Sequence, residues 1–285
     1  MPEGDTIFRA ARTLQRALAG QTVTGFESVL PKLERVEVDS GITGRTIEKV
    51  EANGKWILTY FSGDMVLLTH MLMSGSWHIY RPGEKWHRRR EDMRLIIHTA
   101  KIDAVGFNVP IAEFHTPDSL RRRRVFNQIG PSALAPEFDA GEALRRLRSR
   151  PELLVGEALL SQSLLAGVGN VFKSEICFAC GVHPFRLVAS LSISELSCLL
   201  STARKFLLAN VTDSSGDAIV TFTGLRRTTG RIASEENLWV YSRRNEPCRK
   251  CSAPIESRKQ GLDARTTFWC PNCQPIEPSA VRHAS

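Results

Sequence analysis

Between residues 5 and 19 the apolar residues Ile7, Ala10, Leu14, Ala17 and Leu18 recur at the spacing of one helical face. Asp5 can cap the start of that helix and Gly20 stops it. From Val23 to about Phe114 the rhythm changes to short β-rich runs divided by turn residues. Residues 55–61 and 65–73 flank Ser62-Gly63-Asp64 and predict a β-hairpin. Residues 77–80 and 94–99 predict further strands. Many short antiparallel strands in one stretch predict a sandwich or a barrel.

Beyond a Pro- and Ala-rich linker at 131–138 the pattern turns helical. Helices are predicted over 141–148, 151–165, 171–180 and 192–208. The last opens on a Ser192/Glu195 capping box and carries Leu196, Leu199, Leu200, Ala203 and Leu207 on one face. Residues 213–237 are polar and glycine-bearing and read as a partly ordered loop, and 276–285 as a frayed tail. The predicted class is α+β: an N-terminal antiparallel β-sandwich with flanking helices, then a helical domain, then a small hairpin module.

The chain has 285 residues, 42% of them hydrophobic, and a formal charge of +8. Arg88-Arg89-Arg90 and Arg121-Arg122-Arg123-Arg124 add to this excess, which favours a polyanionic partner. No stretch approaches the ~20 apolar residues of a membrane span, and no secretory signal opens the chain. Seven cysteines is an odd count, and four have metal spacing. No disulfide framework is expected, and the chain reads as cytoplasmic.

Cys248-x2-Cys251 and Cys270-x2-Cys273 are separated by eighteen residues, enough for a β-hairpin that brings two thiolate knuckles together. Four sulfurs close a tetrahedral site with no open position, which is one structural zinc. Cys177-x2-Cys180 instead reads as a pair of buried thiols in a helix, and Cys198 as core. Arg258, Lys259 and Arg265 on the hairpin are either solvated cations on a ribbon or phosphate contacts.

The chain opens Met1-Pro2-Glu3-Gly4. Removal of the initiator leaves Pro2 with a secondary amine, and α-amines titrate near pH ~8. Condensed with an aldehyde-level carbon, that amine gives an iminium, and Glu3 can move protons beside it. In Leu160-Ser161-Gln162-Ser163-Leu164-Leu165-Ala166-Gly167-Val168-Gly169-Asn170, the two glycines allow a tight turn. Asn170 would then stand at a helix start suited to a phosphodiester.

Together these pieces resemble the formamidopyrimidine-DNA glycosylase and endonuclease VIII family of base-excision repair enzymes. The resemblance rests on Pro2-Glu3-Gly4, Asn53-Gly54-Lys55, His70-Met71-Leu72-Met73-Ser74-Gly75-Ser76, the double-glycine segment, and the cysteine finger ending Ala264-Arg265-Thr266-Thr267-Phe268-Trp269-Cys270. It implies a catalytic sandwich domain at 1–130, a helix–two-turn–helix DNA-binding domain at 139–240, a zinc finger at 245–275 and a tail at 276–285. It also implies a monomer acting on damaged DNA at the nucleoid. By resemblance Pro2 attacks C1′ of the damaged nucleotide, Glu3 is the acid/base, and Lys55 contacts the reacting sugar or its phosphate. Protonating the sugar ring oxygen requires a carboxyl whose proton affinity is raised by desolvation. Asn170 and Arg265 would clamp phosphates. Met73, with Met71 or Leu72, would fill the gap left by the everted lesion.

Gly4 looks more like the endonuclease VIII branch, and oxidised pyrimidines are the expected substrates, with oxidised purines as the alternative. The expected reaction is base removal through a proline Schiff base, then β,δ-elimination. Two departures bear on lesion choice. Asp5-Thr6 stands where the family carries proline and glutamate, and residues 103–109 lack the Arg-Phe wedge of the formamidopyrimidine branch, with Phe107 as a candidate substitute. A non-catalytic zinc protein binding nucleic acid is the rival of another class, and it leaves Pro2, Glu3 and Lys55 unexplained.

Overall fold

The computed structural model describes residues 3–276, apart from 124, 125, 127, 212–227 and 229–236. Most of the 213–237 segment and the tail beyond 276 therefore lie outside the described residues. The chain separates into two compact units, with the boundary between Asn127 and Gln128.

The first unit opens with α1 (Gly4–Leu18), in which Ile7, Ala10, Leu14 and Leu18 of the predicted stripe are fully buried together with Ala11, while Ala17 is half-buried. Burying five such residues is what holds a helix of this length in place, since propensity alone leaves isolated helices marginal. β1 (Val23–Ser28) follows, then a helix absent from the sequence expectation, α2 (Pro31–Ser40). Seven more strands complete the unit: β2 (Ile47–Asn53), β3 (Trp56–Phe61), β4 (Met65–His70), β5 (Ser76–Tyr80), β6 (Met93–Thr99), β7 (Asp103–Phe107) and β8 (Ile111–His115). A short α3 (Pro117–Arg122), capped by Thr116, closes it.

These strands form two antiparallel sheets ordered β1-β6-β7-β5 and β2-β3-β4-β8. Inward residues of both sheets, among them Ile57, Phe61, Leu67, Trp77, Leu95 and Ile97, share one core with the α1 stripe. This is the predicted sandwich. Besides the passage from β1 to β2, which contains α2, the chain changes sheets twice, from β4 to β5 through residues 71–75 and from β7 to β8 through 108–110. Ser76, Met93 and Phe107 lie in register, so both crossings occur at the same end.

The second unit holds α4 (Ala140–Arg148), α5 (Val155–Leu160), α6 (Asn170–Ala179) and α7 (Ile193–Ala209), then the hairpin β9 (Glu256–Gln260) and β10 (Arg265–Trp269). The Ser192/Glu195 capping box is present. The helix expected over 151–165 is much shorter. The backbone N–H groups of Val155 and Gly156 donate to Arg186 O and Pro184 O, which places the helix start at Val155. At the other end Gln162 folds back and closes a turn.

The expected pair of buried thiols is also corrected. Cys177 is buried and free, but Cys180 forms a disulfide with Cys198. Cys180 caps α6 and Cys198 lies on α7, with Cα atoms 6.0 Å apart, inside the range a disulfide spans. Cys198 is thus half-buried and bridged, not a core thiol.

Candidate active site and nucleic-acid interface

Glu3 is the N-cap residue of α1, fully buried, with its carbonyl accepting the Ile7 N–H at 3.0 Å. Past the far end of the helix the Gly20 N–H donates to Ile47 O at 2.8 Å, and Gln15 Oε1 accepts from the Val50 N–H. α1 therefore runs antiparallel to β2. A helix of this length rises ~22 Å and β2 spans about the same, so Glu3 lies toward the Asn53 end. That end carries Lys55, which follows Gly54 (φ +59°) in the tight turn from β2 into β3. Pro2, one residue before Glu3, lies outside the described residues.

His70, paired with Trp56 across β3 and β4, stands beside this turn. Burial and the neighbouring Lys55 ammonium push its pKa down to about 4. The neutral ring accepts the Leu72 N–H on Nδ1 at 3.0 Å and packs edge-on against Trp56. His70 thereby fixes the first residues of the β4–β5 crossing, a role the sequence reading did not assign.

In that crossing the Gly75 N–H donates to Met71 O at 2.8 Å. A Cβ at Gly75 would stand 2.6 Å from Met71 O and 3.1 Å from Asn108 O, so the turn requires glycine. The tight return turns Met71 into the core at 0% exposure and leaves Leu72 and Met73 at 46% and 56%. Of the residues expected to fill a gap in the duplex, Met73 and Leu72 are exposed and Met71 is not. Phe107, the candidate substitute for the missing wedge, is fully buried against His78, Tyr80 and Trp86 and cannot reach a duplex.

In the second unit the turn before α6 is closed by one side chain. Gln162 Nε2 donates to Leu160 O and Val168 O at 3.0 and 2.9 Å, and Gln162 Oε1 accepts the Gly167 N–H at 3.0 Å. Gly167 sits at φ +103°, a conformation closed to most other residues. Asn170 then opens α6, where backbone N–H groups and the helix dipole favour an anion. Its Nδ2 donates to Thr266 O of β10 at 3.0 Å, while its buried Oδ1 has no hydrogen-bond partner. Arg265, adjacent to Thr266 and partly exposed, is thereby brought beside the start of α6. Lys173 Nζ donates to Thr267 Oγ1 at 2.6 Å and the Phe268 N–H to Ser174 Oγ at 3.3 Å, so β10 lies along α6. Arg258 stacks on Phe185, 3.9 Å from the ring centroid.

Glu175 is a further residue without sequence signal. Its buried carboxylate accepts the N–H groups of Trp239, Val240 and Tyr241 at 2.8 to 2.9 Å. It ties the chain entering the finger to α6 across more than sixty residues of sequence.

The Sγ atoms of Cys248, Cys251, Cys270 and Cys273 all lie within 4.8 Å of one another, with Cys248–Cys273 at 3.9 Å and Cys251–Cys270 at 3.4 Å. A zinc–sulfur bond of ~2.3 Å gives a tetrahedron with edges of about 3.8 Å, so the four thiolates fit one zinc. No fifth donor is needed, and the site is structural.

Residues 1–110 match the formamidopyrimidine-DNA glycosylase N-terminal domain, 129–221 its H2TH domain, and 245–276 the zinc finger found in FPG and IleRS. The chain belongs to the formamidopyrimidine-DNA glycosylase and endonuclease 8 family. It is 38% identical over 277 residues to a probable endonuclease 8 2 of Streptomyces coelicolor, covering 96% of this chain and 94% of that one. It is 32% identical to the DNA-(apurinic or apyrimidinic site) lyase Nei2 of Mycolicibacterium smegmatis, over 96% and 99% of the two chains. Its fold is that of Lactococcus lactis Fpg solved with abasic-site DNA, with TM-score 0.79, 22% identity, and 96% and 100% coverage. Membership makes this chain an enzyme of a DNA glycosylase and AP lyase family with a structural zinc finger. Among the described residues no helix is long and apolar enough to cross a membrane.

Proposed function

We propose that the protein removes oxidised bases, pyrimidines foremost, and then cleaves the strand through an iminium on Pro2. Residues 1–130 carry the chemistry, and 139–240 and 245–275 hold DNA. The observation that carries this reading is the antiparallel run of α1 along β2. It puts Glu3, at the start of α1, toward the end of the sandwich that bears Lys55 and the exposed Leu72-Met73 pair.

The Pro2 nitrogen attacks C1′, the base leaves, and the sugar ring opens as the iminium forms. Glu3, buried and one peptide bond away, delivers a proton to the sugar ring oxygen. The iminium acidifies C2′, its proton is lost, and the 3′ phosphate departs with the electron pair. A second elimination releases the 5′ phosphate. Lys55 stabilises charge on the reacting nucleotide, and Asn170 with Arg265 holds phosphates through a helix start and a guanidinium. Preference for pyrimidines rests on Gly4 and on the similarity to proteins named endonuclease 8.

The test is a panel of single-lesion duplexes carrying oxidised pyrimidines, oxidised purines or an abasic site, assayed for base release and for both strand-cleavage products. Faster release of oxidised purines would reverse the ranking, and absence of any release would remove the glycosylase assignment.

A further inference from the structure

On the outer face of the second sheet, away from the shared core, a cleft of about 390 Å³ opens between β2, β3 and α3. That size falls within the ~300–1,000 Å³ of small-molecule sites. Its floor and walls are Leu58, Tyr60 and Phe126, its polar groups Lys49, Asn53 and Arg121. Nothing in the proposed reaction uses it.

The walls are stiff. Lys49 Nζ sits 4.2 Å from the Tyr60 ring centroid and donates to Glu51 Oε2 at 3.0 Å. The Tyr60 hydroxyl donates to the other oxygen, Glu51 Oε1, at 2.7 Å. Both carboxylate oxygens of Glu51 are thus engaged by the protein. Arg121 stands on the exposed side of α3 with Asp118 as its partner at 3.1 Å, and the exposed Arg122 follows it. Leu58 and Leu120 pack the cleft floor with Phe126 against them, so the apolar surface is supported from below.

Flat apolar walls, one amide and two cations at the rim are the chemistry that takes a nucleobase with its phosphate. Asn53 lines the cleft and is two residues from Lys55, so a strand at the Lys55 turn is within a nucleotide's length of the opening. We propose that this cleft holds an unpaired nucleotide of the DNA strand flanking the lesion. Stacking and apolar contact take the base, Asn53 meets its polar edge, and Lys49 and Arg121 face the phosphate. The inference rests on the proposed action on DNA and adds a preference for lesions beside single-stranded DNA.

The experiment measures affinity of the full-length protein for a blunt duplex bearing a stable abasic-site analogue. The same duplex is then given a short single-stranded tail on either side. Stacking of one base implies a tail advantage of about five- to a hundred-fold. Lys49→Glu with Arg121→Glu should remove that advantage and leave blunt-duplex affinity unchanged, and Arg121→Glu alone, on an exposed helix face, should reduce it. Equal melting temperatures establish that the variants fold. No tail advantage in the unaltered protein, or an advantage that survives the double substitution, overturns the proposal. Loss of the advantage in the presence of micromolar free dAMP makes a free nucleotide the ligand and overturns it as well. Failure of the unaltered protein to bind even the blunt lesion duplex would instead count against the proposed function.

Discussion

The side-chain amide of Asn170 donates to the backbone carbonyl of Thr266 at 3.0 Å, joining the first turn of α6 to the finger strand next to Arg265. One hydrogen bond thus sets a helix N-terminus and a guanidinium side by side, although the residues are nearly a hundred positions apart.

The phosphate contacts proposed for Asn170 and Arg265 imply a particular salt dependence. Arg265→Ala should weaken binding to damaged and undamaged duplex alike and flatten the plot of log affinity against log salt by about one unit. Asn170→Asp should weaken both by setting a negative charge against a phosphate. Salt titrations of the two variants check this, and an unchanged slope for Arg265→Ala would remove it from the phosphate clamp.

Zinc should matter through the same contact. Metal analysis should return one zinc per chain, and Cys270→Ser should lose it. The finger is too small to hold itself without metal, so β10 would leave α6 and DNA binding would fall with it. Zinc-free protein that binds DNA normally would contradict this coupling.

The wedge prediction separates neighbouring residues. Met71→Ala removes a fully buried side chain and should destabilise the first unit by about 2–5 kcal/mol. Met73→Ala, at 56% exposure, should leave the melting temperature nearly unchanged while slowing base release from duplex DNA. Thermal melts paired with single-turnover rates decide it. Equal stability losses from both substitutions would mean that Met73 is a packing residue.

Much of this arrangement is legible in the sequence because its causes are local. The α1 stripe, the Ser192 capping box and the cysteine spacing each act within a few residues, and each is found in the structure. The misses have distant causes. The start of α5 is set by carbonyls of Pro184 and Arg186, some thirty residues on. Burial of Met71 follows from a turn in which Gly75 meets both Met71 and Asn108. Neither the Cys180–Cys198 bridge nor the grip of Glu175 on residues 239–241 leaves a periodic trace. Pro2, the residue on which the proposed chemistry rests, is legible only in the sequence and lies outside the described residues.

Acid should loosen the protein in a defined window. Burial is the first cause that pushes His70, His78 and His183 down to about 4, each with nearby cations adding to it. Their folded-state pKa lies below the unfolded value of ~6.5, so the neutral form is the one the fold holds. Their contribution is complete above pH ~6.5 and is lost as pH falls toward 4. Melting temperature measured across this range should decline, and His78→Gln should make the decline shallower. A flat profile between pH 6.5 and 4 would contradict it.

The amine of Pro2 is the group proposed to form the covalent intermediate. Borohydride added during reaction with lesion-bearing duplex should reduce the iminium and leave a protein–DNA adduct. Peptide mapping should locate that adduct at Pro2, and a variant whose N-terminus is extended by a tag should give none, because its proline nitrogen is an amide. An adduct formed in full yield by the tagged protein, or mapped to Lys55, would contradict the account.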